Sequence, residues 1–269
     1  MKRKILTTEK IVIGPSFLGW DSSITFRPAG KPGWYLQTED GLVPLDHRIV
    51  FSKKGRLQAK YGKTKIETIE HPMALKMLIG LDEVILDPKG KSWPPYIGGA
   101  GGYEKQLSGC WVQTNSEFPT IKPVRNSRVQ EFNNLATEVQ IEKNNSGELN
   151  IILYSHWKPL PAFKQKILLG DEIQTKDILK SKPQGFPAYR EYFADLLVFF
   201  GWPNKDYVSW ISDFNSLKDA SYAWWCHAAQ DSLGELALAH YKKIPSSAKI
   251  LRFCAGHKQT LQAVKESFS

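Results

Sequence analysis

The feature that most constrains this chain is a change of hydrophobic period that occurs twice. Residues 10–13, 23–28, 34–38, 48–51 and 65–69 read as strands, with apolar, aromatic and β-branched positions bounded by turn residues. At Met73, Leu75, Met77, Leu78 and Leu81 the spacing becomes helical, and residues 84–86 return to a strand before Asp87-Pro88. The pattern then restarts. Strands at 137–141 and 149–154 flank Asn144-Asn145-Ser146-Gly147, a hairpin by its turn chemistry. Helices are expected at 189–199, 222–241 and 258–266, with a late strand at 248–253. Strands followed by a helix, twice over, predict an α+β fold of two similar halves. The polar stretch 112–135, with Pro119, Pro123 and several Asn, is the expected junction and divides the chain into residues 1–115 and 116–269.

The 9 Trp, 10 Tyr and 13 Phe exclude a disordered chain. The longest apolar run, around residues 196–200, is far short of the roughly 20 residues of a membrane span. Met1-Lys2-Arg3-Lys4 has the charge of a signal-peptide start, but Thr7-Thr8-Glu9-Lys10 stands where the apolar stretch should follow, so export is not expected. Cys110, Cys226 and Cys254 form no disulfide framework and fit a reducing cytoplasm. The net charge of +9 is uneven: residues 1–65 hold thirteen Lys/Arg against five Asp/Glu. Such a face attracts anions or is simply solvated. It offers a peripheral contact with a membrane surface. No nucleic-acid-binding signature accompanies it, so nucleic acid is not an expected partner.

Several residues carry candidate chemistry. Thr68-Ile69-Glu70-His71 places a carboxylate and an imidazole at a strand-to-helix junction, and Pro72 favours a helix beginning just after His71. His227 and Asp231 are four apart on an expected helix, so they share a face and can reach one metal ion or simply hydrogen-bond. Glu235 lies one turn further on, and Gly234 leaves room above the helix surface. His257 follows Ala255-Gly256 at the start of the last helix. A rival set, Cys226, His227, Cys254 and His257, has the composition of a structural Cys₂His₂ zinc site, although adjacent helical residues point about 100° apart. The glycine-rich stretch Gly98-Gly99-Ala100-Gly101-Gly102 either lets backbone approach a ligand or makes a tight surface turn. No Lys-Ser/Thr follows it, which excludes a P-loop.

In this order the motifs resemble those of the UDP-3-O-acyl-N-acetylglucosamine deacetylase family, the zinc enzymes of lipid A synthesis. Thr68-Ile69-Glu70-His71 resembles the family's T-V-E-H-L, and Thr25-Phe26-Arg27-Pro28-Ala29 its T-L-R-P-A. The segment from Trp93 to Ala100 resembles P-I-M-D-G-S-A, His227 to Leu236 resembles H-K-x-x-D-x-x-G-D-L, and Ala255-Gly256-His257-Lys258 resembles S-G-H-A. The resemblance spans almost the whole chain. It implies zinc, with Fe²⁺ as the alternative, held by His71, His227 and Asp231. It further implies Glu70 as general base, His257 as second catalytic histidine and Glu235 as the carboxylate orienting it. The implied fold has two domains, each a β-sheet with helices on one face, the helix layers between the sheets and the active site between the domains.

The departures are specific. The family's Lys after the first helix ligand is Ala228, its D-G-S is Gly98-Gly99-Ala100, and its R-T-F has only Ala188-Tyr189-Arg190-Glu191-Tyr192 as counterpart, without Thr. Metal and acid/base positions are kept while substrate-contact positions change. The resemblance therefore implies a cytoplasmic zinc amide hydrolase that acts on a small molecule other than the family's own, an N-acetylated sugar or its nucleotide-linked form. The competing reading is a catalytically silent paralogue that keeps the fold and binds metal or ligand.

Overall fold

A computed structural model describes residues 1–15, 21–53, 56–88, 97–133, 135–156, 160–183 and 209–269. In chain order, strands β1 (Lys2–Leu6), β2 (Lys10–Pro15), β3 (Asp21–Pro28), β4 (Trp34–Thr38), β5 (Gly41–Pro44), β6 (Val50–Lys53), β7 (Arg56–Tyr61) and β8 (Thr64–Glu67) precede helix α1 (Glu70–Leu78). Then come β9 (Leu81–Asp82), β10 (Val84–Asp87), α2 (Ala100–Gln106) and β11 (Trp111–Glu117). The chain continues through β12 (Thr120–Ile121), β13 (Ser127–Asn133), β14 (Leu135–Lys143), β15 (Leu149–Ser155), β16 (Phe163–Ile167) and α3 (Glu172–Lys180). It ends with α4 (Leu217–Ala237), β17 (Ile244–Pro245), β18 (Ala248–Phe253) and α5 (His257–Phe268). The fold is mixed α+β.

Its two five-stranded sheets have the same topology. One has the order β2-β3-β10-β4-β5 and the other β13-β14-β18-β15-β16. In each, two antiparallel hairpins flank a later strand, which runs antiparallel to the first hairpin and parallel to the second. Each central strand is preceded by a short one, β9 or β17, that pairs in parallel with the first strand of its own half, β1 or β12. The sheets are held by rows of side chains on their buried faces. Phe26, Leu86 and Leu36 form one such row, and Ile141, Ile250, Ile151 and Ile167 another, all 2% exposed or less. Burying a side chain of this size contributes about 1.5–3 kcal/mol.

The structure departs from the sequence expectations in instructive places. The polar stretch 112–135 carries β11 and β13. Both strands lie at the edge of a sheet. β11 meets solvent widely without alternation, whereas β13 alternates in burial, with Ser127 and Val129 inward, but not in hydrophobicity, since Ser127 faces in and Phe132 faces out. Helix α4 starts at Leu217, five residues before the expected 222, because Ser216 caps it: its Oγ accepts from the Asp219 N–H at 3.1 Å. It stops at Ala237 rather than 241. Helix α1 starts at Glu70 and holds His71 and Pro72 in its first turn, where proline costs no hydrogen bond. The helix expected at 189–199 lies outside the described residues. Among the described residues, no helix is long and apolar enough to cross a membrane.

Candidate metal centre

The site is built where α1 meets α4. Gly234 permits the meeting: a Cβ there would overlap the backbone carbonyl of Glu70. The room that glycine leaves on α4 is thus filled by the first turn of α1, which brings Glu70 and His71 against the face bearing His227, Asp231 and Glu235. Strand β8 turns into α1 through Thr68, whose φ of 54° is a left-handed conformation rare for a β-branched residue. A second non-glycine residue of this kind, Cys254 at φ 47°, leads from β18 to His257 at the start of α5. Glu83 and Ser247, just before β10 and β18, share this conformation, so strain of this sort marks the turns into these elements as well as the approach to the site.

His71, His227 and Asp231 converge, with one ligand atom from each lying within 4.8 Å of the others. His71 Nε2 is 3.4 Å from Asp231 Oδ1, and His227 Nε2 is 3.6 Å from Asp231 Oδ2. These separations exceed the roughly 2.7–2.9 Å of a charge-assisted hydrogen bond. They are close to the edge of a tetrahedron whose centre lies about 2.0–2.2 Å from each donor, the bond length of zinc to nitrogen or carboxylate. His227 Nδ1 and Asp231 Oδ1 are buried and make no hydrogen bond among the described residues. Burial pushes the His227 imidazole down to about 4, so it is neutral near pH 7, as a ligand must be. Burial alone would raise the Asp231 carboxyl, but the His227 and His71 rings outweigh it and hold it well below the usual carboxylate range. Two imidazoles and a carboxylate so placed fit Zn²⁺, and the same donor set suits Fe²⁺.

The remaining three expected residues close around this trio. Glu70 is 2% exposed, and its Oε2 makes no hydrogen bond among the described residues. Burial raises its carboxyl above the ordinary value, against the lowering effect of His257 and His71. Its Oε1 faces His257 Nε2 at 3.9 Å. On the other side of that ring, His257 Nδ1 donates to Glu235 Oε1 at 2.6 Å, and Glu235 is fully buried. Burial works against a charged His257, but the Glu235 hydrogen bond and the nearby Glu70 charge prevail and lift it to about 9. Near neutral pH the ring is therefore an imidazolium between two carboxyl groups.

Two of the glycines in the glycine-rich stretch serve close packing. A Cβ on Gly101 would overlap the Leu179 carbonyl, and one on Gly102 the Ile97 carbonyl. The glycines let α2 close on the end of α3. Gln230, next to Asp231, accepts from the Ala100 N–H at 2.8 Å and donates to the Ile178 carbonyl at 2.8 Å. The rival cysteine set is not assembled: among the described residues the grouping within ligand reach is His71, His227 and Asp231 alone. Cys226 lies instead against Tyr222, and burial raises its thiol to about 12. The counterparts of the family's R-T-F motif and the Trp93–Tyr96 part of its loop fall outside the described residues.

Two buried cations were not singled out from the sequence. Arg252 is 4% exposed, beside Glu235. Its signal was present: it shares parity with Ala248 and Ile250 on β18, so a charge falls on the core face. Lys76 is fully buried and donates to the carbonyls of Ala237, the last residue of α4, and of His240 beyond it. Neither a protein-family model nor a curated protein matches the chain.

Proposed function

We propose that this chain is a metal-dependent amide hydrolase, with zinc held by His71, His227 and Asp231, resembling UDP-3-O-acyl-N-acetylglucosamine deacetylase. The observation that carries the reading is the juxtaposition of a two-histidine, one-carboxylate cluster with Glu70 and with the Glu235–His257 pair. When bound, zinc supplies a Lewis acid for an amide carbonyl and acidifies water. Glu70, beside the ligand His71 and without a hydrogen bond on Oε2, takes the proton of the attacking water as general base. His257 holds its proton at Nε2, facing Glu70, where it stabilises negative charge on the carbonyl oxygen and then protonates the leaving amine. Glu235 fixes the ring through Nδ1.

The substrate is a small molecule, an N-acetylated sugar or its nucleotide-linked form. Ala228 removes the cation that the resembling family uses to hold its own substrate, which favours a different acylated compound. The same substitution supports a second reading, a silent paralogue that binds ligand without turning it over. We read the two topologically matched sheets as two α+β domains with their helices layered between them, the protein as cytoplasmic, and the basic N-terminal region as a peripheral membrane contact.

The test is Glu70→Gln assayed on N-acetylated sugars with metal content measured in parallel. The expected outcome is a fall in turnover of about 10²–10⁴-fold with the metal retained, because the amide keeps the shape and cannot take a proton. Full activity in Glu70→Gln overturns the mechanism. Absence of turnover in the zinc-loaded wild-type protein across acylated amino sugars favours the silent paralogue.

A further inference from the structure

Burying a guanidinium is expensive unless its charge is balanced and its donors are used. Arg252 occupies the central strand of its sheet, opposite Val139 on one side and Leu153 on the other, both 2% exposed or less. The matching strand β10 buries Val84 and Leu86 on its core face, opposite Trp34 and Leu36 on β4. The fold therefore does not need a cation at this depth. Its Nε makes no hydrogen bond among the described residues, and what the other two nitrogens touch accounts for its place. Nη1 donates to the Ala228 carbonyl at 2.7 Å and to Ser232 Oγ at 2.5 Å, and Nη2 lies 3.9 Å from Glu235 Oε1. Ser232 Oγ itself donates to the Ala228 carbonyl at 2.7 Å, which closes a small network on that turn of α4.

The geometry points to Arg252 as a positioning residue that holds the metal-ligand turn of α4 and the Glu235–His257 pair in one register. Ala228 and Ser232 each directly follow a ligand, His227 and Asp231. An arginine bonded to both ties the spacing of the ligands to β18, the strand that leads into His257. The same guanidinium balances the fully buried Glu235 carboxylate, so Oε1 is fixed between His257 Nδ1 and Arg252 Nη2. This role rests on the reading of Glu235 and His257 as the proton-handling pair of the site. The planar fork matters as well as the charge, since lysine carries the charge without the two-pronged reach.

The experiment uses the full chain in four variants: Arg252→Met, Arg252→Lys, Glu235→Gln, and Arg252→Met combined with Glu235→Gln. Ring NMR of ¹⁵N-labelled, metal-free protein reads the hydrogen-bonded Nδ1–H of His257. Urea unfolding reads the coupling of residues 252 and 235, and chelator competition reads zinc affinity. Arg252→Met and Arg252→Lys are expected to shift the Nδ1–H resonance away from its wild-type position, and Arg252→Met to weaken zinc binding about 10–100-fold. The double variant is expected to be more stable than the two single changes predict together, because each single change leaves one buried charge unbalanced. An unshifted His257 resonance in Arg252→Lys, or strictly additive stabilities, overturns the assignment. Should Arg252→Met fail to fold, Arg252→Lys carries the NMR and zinc readouts. Should the wild-type protein bind no zinc, the metal reading falls alone, and the resonance and the Arg252→Lys variant still decide the role of Arg252.

Discussion

Helices α1 and α4 bury polar groups at both ends of their contact, and the two ends are made differently. At the Glu70 end, Glu70 Oε2, His227 Nδ1, Asp231 Oδ1 and Glu235 Oε2 are all buried without a hydrogen bond among the described residues. At the other end Lys76, equally buried, places its amine on two carbonyls, Ala237 at 3.1 Å and His240 at 2.5 Å, at the negative end of the α4 dipole. A buried polar group left unmatched costs about 1–3 kcal/mol, so a folded chain rarely keeps several together without a use for them. The Lys76 end is complete in itself and reads as a helix stop. The Glu70 end is incomplete in itself and reads as a place for something the chain does not contain.

Substitutions can break that contrast, and the largest effect belongs to the incomplete end. His227→Ala should reduce metal content from one ion per chain to background by elemental analysis, with the far-ultraviolet circular dichroism unchanged. Lys76→Ala should leave metal content alone but lower stability in urea by about 2–4 kcal/mol, since it opens a cavity and strips two carbonyls of their donor. Metal loss in the Lys76 variant would show that the two ends are not separable. Next in size is Gly234→Ala, where a methyl against the Glu70 backbone should cost about 1–3 kcal/mol and weaken metal binding by displacing the first turn of α1. Gly147→Ala, in open space but at φ 80°, should cost less, about 1 kcal/mol, with metal binding intact.

The last test is the most discriminating, because the two ends respond to pH with opposite sign. His257 is lifted from 6.5 to about 9 in the folded protein, so its stabilisation is complete below pH 6.5 and is lost as pH rises through 9. Lys76 is lowered by burial from 10.5 to about 7, so the unfolded chain holds a proton the folded one has released, and stability rises from pH 7 towards 10.5. Between pH 7 and 9 the two trends oppose each other. In metal-free protein Lys76→Met should unmask a falling stability across that window, and His257→Ala a rising one, each by up to about 1.4 kcal/mol per pH unit. Urea titrations at several pH values give both slopes. Equal slopes in the two variants would remove the electrostatic distinction between the ends.

How much of this could be read from the chain depends on whether a residue's neighbours are local. His227 and Asp231 are legible because helical spacing alone puts them on one face. Glu70 and His71 are legible because they are adjacent at a change of period. Gly234 announces a close approach but not its occupant, which comes from α1, far away in sequence. Lys76 sits between Leu75 and Met77 and looks like any surface lysine, since only the end of a distant helix gives it partners. Arg252 broke the parity of its strand, yet parity says a charge is buried and not what balances it. The edge strand β11 was hidden because alternation records burial of one face, and this edge buries little; β13 was hidden because its buried face carries Ser127 as well as Val129 while Phe132 faces solvent. The glycines at 101 and 102 speak for close packing only once the carbonyls of Leu179 and Ile97 are in place.

The placement of β18 has a kinetic consequence. It is the last strand of the chain and the middle strand of its sheet, between the hairpins β13–β14 and β15–β16. Each hairpin can form from local contacts within microseconds, but the two remain separate ribbons until β18 threads between them. That step waits on contacts of wide sequence separation, the kind that slows folding, and until it happens the inner edges of both hairpins are open to mispairing. The strand that ends this vulnerability also carries Arg252 and delivers His257. Closing the sheet and bringing His257 against Glu235 are one event, so a chain halted short of it exposes sticky edges and lacks the His257–Glu235 contact.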